Sequence, residues 1–372
     1  MRNRFLSFLL SSRWASVILA LMYHVRFLLF VDYEDIHAKT GLAKLFYFLT
    51  GLGHESFAVF FVLDGILTGL LLPRHRPDAL PGQATVLRQM MAPYRILVPG
   101  LVLGAVLDAT GAAFFDEAGL YTDFPAFSTL TLDGAALLGN LFMLQPFVVP
   151  TFGSNGMLYL LSYLFWSFML LVLWLRLALP GRLLLPAAVV ALAPHAFLLW
   201  GATWLAGVLV VHLGATRDAR PSLPFALAGF AGIVLLSRLL GADTHALPPP
   251  FGAWLIQCKY LLVGTSFAAV AWALYPARAQ HERLRARALV TVDTPAAQAA
   301  AFTFFCHFPV MMLLIGMAST LLEQPLMRQP VPARYGGFVV LVAACLGTTV
   351  LVARAAASAI DAVTGRRRGL PA

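Results

Sequence analysis

Long apolar stretches separated by short polar segments set the pattern of this chain. A helix needs ~20 mostly apolar residues to cross a hydrocarbon core ~30 Å thick. Ten stretches meet or approach that length: about 13–31, 53–72, 94–110, 156–175, 183–200, 201–214, 222–240, 253–275, 297–321 and 335–357. The sixth is short. A further stretch, 135–149, is apolar enough to compete, but Asn140, Gln145 and two prolines interrupt or close it, which predicts an interfacial or re-entrant segment. The apolar run that begins near Phe5 lacks a small-residue cleavage site and continues into a full span, so it reads as a membrane helix and not a signal peptide. The expected fold is all-α: one polytopic membrane domain over residues 1–372, with about ten transmembrane helices and a basic cytoplasmic tail at 358–372.

Composition sharpens this. Of 372 residues, 60% are hydrophobic and 12% charged, against about 25% charged in soluble domains. That balance excludes disorder, a collagen repeat and a disulfide-stapled secreted domain. A formal net charge of +9 would raise the question of nucleic acid in a soluble protein; in a membrane chain it is first a record of topology. With the N-terminus cytoplasmic, the inside segments hold 17 Lys and Arg and the outside segments five. The segment 111–155 carries four acids (Asp116, Glu117, Asp123, Asp133) and no Lys or Arg. The alternation predicts both termini in the cytoplasm, the lipid bilayer as partner, and no nucleic-acid partner. The membrane expected is the bacterial inner (plasma) membrane; the oligomeric state is not legible. Cys258, Cys306 and Cys345 lie inside apolar runs with no CxxC, so they read as packing residues, and no metal is expected. No repeat of 20–50 residues is visible. Pro248–Pro250 reads as an outside turn and Arg366–Arg368 as part of the cytoplasmic tail. The Arg/Ala-rich segment 276–296 reads as a solvated, partly helical connector, or else as a patch for anionic lipid or a cofactor.

Ionisable residues inside a span cost ~2.5–3.5 kcal/mol on insertion scales, so they are functional candidates by default. Arg13, His24, Arg26 and Asp64 meet that test in the first two spans. His24 follows Arg13 by eleven residues, which is ~16 Å and close to three turns of helix, so both side chains point roughly the same way. An Arg at the cytoplasmic lip suits a phosphate or carboxylate, and an imidazole at mid-depth suits removal of a proton from a hydroxyl. The alternative is that Arg13 obeys the positive-inside rule and His24 hydrogen-bonds a neighbouring helix.

Five motifs extend the picture. The first span runs Arg13, ten residues, then His24; the second contains Phe60-Phe61-Val62-Leu63-Asp64-Gly65. Arg88 and Pro93-Tyr94-Arg95-Ile96-Leu97-Val98-Pro99 lead into the third. Gly153-Ser154-Asn155-Gly156-Met157-Leu158-Tyr159-Leu160-Leu161-Ser162-Tyr163 precedes and opens the fourth, and Phe304-Phe305-Cys306-His307-Phe308-Pro309 lies in the ninth. In this order, over nearly the whole chain, they resemble the integral-membrane acyltransferase family three. The resemblance implies transfer of an acyl group, usually acetyl from acetyl-CoA, to a hydroxyl of a sugar, an exopolysaccharide or a lipid-linked glycan. It implies an acyl-CoA co-substrate with its phosphates near Arg13, Arg88 and Arg95. His24 is then the general base, with Asp64 as its orienting carboxylate or, alternatively, as half of a structural ion pair. Ser154, Asn155, Ser162 or Tyr163 would supply an oxyanion donor, and His307 would bind acceptor or carbonyl, or simply pack beside Pro309. Direct transfer is favoured over an acyl-enzyme because no membrane Cys or Ser sits in a nucleophile setting.

The chain departs from the family pattern at four places. Leu164 stands where Glu is usual, Tyr159 and Leu160 replace Trp and Ser, and Asp64 replaces a Ser. A catalytically silent member is therefore one rival reading, and a transporter or flippase for a glycan precursor or small solute is another. Outside these motifs, His54 and Glu55 open the second span at the outer face, either as solvated interface residues or where an acceptor sugar meets the protein. His195, His212 and His245 lie at span ends with no chemistry expected, the Trp residues form an interfacial belt, and the Gly residues of 100–111 and 229–232 allow close helix packing.

Overall fold

The computed structural model describes residues 4–72, 82–122, 131–240, 251–323 and 325–363. Arg2, Arg74, Arg76, Asp123, His245, Pro248–Pro250 and Arg366–Arg368 lie outside the described residues, as do the side chain of Trp254 and the tail beyond 363. The regular structure is helical: α1 (Arg4–Leu29), α2 (Gly41–Thr50), α3 (Gly53–Leu71), α4 (Gln83–Met91), α5 (Tyr94–Phe114), α6 (Gly134–Leu141), α7 (Leu158–Arg176), α8 (Leu179–Leu192), α9 (His195–Thr216), α10 (Leu223–Leu239), α11 (Phe251–Ala273), α12 (His281–Val292), α13 (Pro295–Leu321) and α14 (Pro332–Val363). The only β pairing among the described residues is an isolated bridge between Phe30 and Arg328.

Among the described residues, seven helical segments are long and apolar enough to cross a membrane, or eight if Cys258–Ala273 and Arg278–Val292, bent by 88°, count as one. The protein is thus all-α and multi-pass, as the apolar pattern predicts. Two shorter apolar helices, α8 and α10, complete the set.

One element boundary differs from expectation. The boundary expected at residues 200 and 201 lies instead at Ala193 and Pro194: Ala193 is extended (ψ 149°), as a residue before proline prefers. α9 therefore has 22 residues in place of a short sixth span. The 276–296 segment is partly helical, as expected: α12 exposes Arg283 and Arg287 and buries His281, Leu284 and Ala288 on its other face. The 135–149 stretch forms only α6, eight residues or about 12 Å long, whose Asp133 N-cap accepts from the Ala136 amide at 2.8 Å.

Two compact units interleave along the chain. The first comprises residues 1–20, 51–90 and 163–294. Its core gathers Phe5, Leu63, Ile66, Val211, Phe267 and Leu284. Here α3 and α9 approach at backbone distance, because a Cβ on Gly65 would run into the Trp204 carbonyl and one on Gly207 into the Val62 carbonyl. The second comprises residues 21–50, 91–162 and 295–372, with a core that includes Leu21, Val25, Tyr121, Met311, Ile315 and Phe338. α5 meets α13 across Gly100 and Gly104, where a Cβ would lie 2.7 Å from Cys306 Sγ and 3.7 Å from Pro309. Small residues four apart are the usual way for membrane helices to gain van der Waals contact.

Candidate functional site

In the second unit, α13 is apolar on nearly every face and buries the whole stretch Ala299–Met312. His307 in the middle of it is fully buried. Its Nδ1 lies 2.9 Å from the Thr303 carbonyl and 3.1 Å from the Phe304 carbonyl. A carbonyl only accepts, so Nδ1 carries the proton and Nε2 the lone pair. That Nε2 is 2.9 Å from His24 Nδ1, which must therefore donate. The network assigns a tautomer to each ring, and it leaves the lone pair of His24 on Nε2. His24 is half-buried, with the Phe308 ring edge-on at 5.3 Å. Behind the pair, α14 offers the Cys345 thiol to the His307 carbonyl at 3.6 Å. An imidazole held by a buried, oriented partner, with its distal nitrogen basic, is the arrangement a general base needs.

The Gly153–Gly156 loop is fixed by a carboxylate the sequence reading passes over. Asp108 on α5 is fully buried; it accepts the Ser154 amide at 2.7 Å and the Ser154 hydroxyl at 2.6 Å. Gly153 has φ +66°, and a Cβ there would strike Asp108, so both backbone conformation and space require glycine. With both of its donors given to Asp108, Ser154 holds the loop and has no hydrogen left for an oxyanion. Asn155 differs. It is fully buried, in the space in front of Gly100, where its amide has the Cys306 thiol as a weak neighbour and no hydrogen-bond partner of good geometry among the described residues. Unmet amide groups at zero exposure are uncommon, which makes Asn155 the strongest donor candidate of the four. Ser162 is buried and donates weakly to Met143 Sδ at 3.7 Å. Tyr163 belongs to the first unit and meets Phe197 edge-on at 5.5 Å. Near Asp108, Tyr121 is raised above the usual phenol range by burial first and by Asp108 and Asp116 next, so it stays protonated.

In the first unit, Asp64 lies 4.0 Å from Arg13 and accepts the Trp204 indole N–H at 3.2 Å. The Arg13 guanidinium also stands 4.8 Å over the Phe60 ring. The ion-pair alternative for Asp64 thus has Arg13 as its cation, while the ring nitrogen of His24 is supported by His307. Arg26 caps neither: it sits over the Tyr47 ring at 4.8 Å. Arg88 on α4 is exposed and Arg95 on α5 half-buried. Glu55 is buried rather than solvated, and Lys259 is buried near it.

Among the described residues no group of three or more His, Cys, Asp or Glu is placed to hold a metal ion. No family model, curated protein or solved structure matches the chain.

Proposed function

We propose that the protein is a membrane O-acyltransferase that moves an acyl group, acetyl in the simplest case, from acyl-CoA to a hydroxyl of a sugar or lipid-linked glycan. The observation that carries this reading is the His24–His307 hydrogen bond with its assigned tautomers. In the step proposed, His24 Nε2 takes the proton of the acceptor hydroxyl and the oxygen attacks the thioester carbonyl. The C–S bond then breaks, and the departing CoA thiolate recovers the proton from His24. His307 accepts from Nδ1–H throughout and stabilises the imidazolium that forms, and the Asn155 amide serves the developing oxyanion. The family resemblance, carried by the motifs from Arg13 to Pro309, supports the same reading and gives the CoA phosphates to Arg13, Arg88 and Arg95. Arg13 fills that role by sharing its guanidinium between Asp64 and a phosphate. The finer topology belongs to this proposal too: ten spans, both termini cytoplasmic, in a bacterial inner membrane.

The test is His24→Ala in the full chain, with transfer of radiolabelled acetyl from acetyl-CoA to envelope glycan as the readout. Loss of a positioned general base lowers the rate about 10²- to 10⁴-fold, with protein level and thermal midpoint retained. Undiminished acetylation in the variant would remove the centre of the reading. The transport alternative draws on the charges inside the first unit, the half-buried Arg13–Asp64 pair and the buried Glu55 and Lys259; it gains if His24→Ala is silent while Asp64→Asn stops glycan export.

A further inference from the structure

The first unit buries a second set of ionisable groups that the acyl-transfer step does not use. It lies where the start of α3, the end of α10 and the first half of α11 come together. Glu55 is 4% exposed and Lys259 6%. Glu55 Oε1 accepts the Ser237 hydroxyl at 2.8 Å, while its Oε2 is buried with no hydrogen-bond partner. Lys259 Nζ donates to the Ser237 carbonyl at 3.1 Å and stands 5.1 Å over the Tyr260 ring. The two opposite charges therefore hold the same residue by its two ends, yet they form no direct ion pair within 4.0 Å among the described residues. Beside them, aromatic rings stand in near-parallel tiers. His54 lies on Tyr260 (5.3 Å, 18°) and Tyr260 on Trp200 (6.2 Å, 13°). His54 and Tyr260 are half-buried.

Each buried ion costs several kcal/mol unless paired and hydrogen-bonded, and an unmet carboxylate oxygen adds to that cost. A fold that needed only neutrality would close the pair. What the arrangement lacks is a group that donates a hydrogen to Glu55 Oε2 and accepts one from Lys259 Nζ. The unmet oxygen of Glu55 repels a phosphate or carboxylate, and Lys259, with Arg238 close to it, repels an ammonium. A hydroxyl does both, and two neighbouring hydroxyls of a sugar ring reach both ions while the C–H face of the ring lies on the aromatic tier. We infer that Glu55, Lys259 and the His54–Tyr260–Trp200 rings form a binding subsite for an uncharged vicinal diol of the kind a pyranose carries. The subsite stands without the acyl-transfer reading; its assignment to the acyl acceptor rests on that reading.

The experiment uses full-length protein in lipid nanodiscs and saturation-transfer NMR with four probes: methyl α-glucoside, glucuronate, glucosamine and cyclohexanol. Methyl α-glucoside is expected to receive saturation, and the charged sugars and the single alcohol to receive much less. The decisive variant is Glu55→Met/Lys259→Met, which removes both ions at similar volume and so leaves no unpaired charge to unfold the protein; its thermal midpoint should match or exceed the wild type. Binding of methyl α-glucoside should weaken about 10- to 100-fold in it. No saturation transfer to methyl α-glucoside in the wild type, or undiminished transfer in the double variant, overturns the inference; a cluster bridged only by water gives the first outcome. In the acyl-transfer assay the double variant should raise the acceptor KM with kcat little changed. Sugar binding without any acyl transfer in the wild type would end the acyltransferase reading and leave the diol site in place.

Discussion

At the scale of single residues, the proposed acyl transfer turns on which nitrogen of His24 is basic. His307 decides this because two backbone carbonyls occupy its Nδ1 and leave only Nε2 to face His24. His307→Phe keeps a ring in the buried slot and removes the acceptor, so the two tautomers of His24 compete and the wrong one cannot act as base. The expected result is a fall in kcat of about 10²-fold or more with the KM for acyl-CoA near the wild-type value. His307→Gln, which restores an acceptor, should recover part of the loss. A wild-type kcat in His307→Phe would reduce His307 to packing. Arg13, His24 and Asp64 were legible in the sequence because an ionisable residue in a span stands out against lipid. Asp108 and Lys259, in the third and eighth apolar stretches, obey the same rule. The pairings were not legible: hydropathy shows that a charge sits in a span, but only tertiary packing shows that Asp64 takes Arg13 and Trp204.

At the scale of elements, the closest helix pair is α3 with α9, and glycine permits it from both sides. Gly65→Ala and Gly207→Ala each push a methyl into a backbone carbonyl of the other helix. Neither neighbour is a flexible side-chain end, so the helices must part, at a cost of about 1–3 kcal/mol. Gly229 on α10 has nothing within 4 Å of the same methyl, so Gly229→Ala should be neutral or slightly stabilising through helix propensity. Thermal unfolding of the three variants in detergent checks this; equal midpoints would mean that α3 and α9 are not held at backbone contact. Gly65→Ala also moves the turn of α9 that carries Trp204, and with it one of the two partners of Asp64. The sequence reading placed glycine-mediated packing at 100–111, where Gly100 and Gly104 do face α13, and at 229–232, where the glycines face open space. Glycine spacing alone does not say which face of a helix is turned inward. The misplaced break near residue 200 has a similar origin, since a continuous apolar run hides its own interruption and only Pro194 marks it.

At the scale of the whole molecule, the number of crossings depends on α8 and α10. They have 14 and 17 residues, about 21 and 26 Å at 1.5 Å per residue, against a hydrocarbon core of ~30 Å. Length alone argues against α8, but charge argues for it. If α8 alone failed to cross, every later loop would change sides. The Lys and Arg of the loops and tails would then divide eleven to eleven, where ten crossings give seventeen inside and five outside. If α8 and α10 both failed, the later loops would return to register and only the segment between α9 and α10, with Arg217 and Arg220, would change sides. A short helix crosses by local thinning of the bilayer and by flanking cations that reach the headgroups, and Arg176, Arg182 and Arg238 stand at the relevant ends. α8 has no buried residue, which is what a helix facing lipid along its length shows. The position that separates the cases is Asp218, exposed in the segment after α9. In a chain with Cys258, Cys306 and Cys345 replaced by Ala, Asp218→Cys should resist a membrane-impermeant maleimide in intact cells and react once the membrane is permeabilised. Labelling in intact cells would put that segment outside, reject ten crossings, and leave α8 lying along the membrane surface.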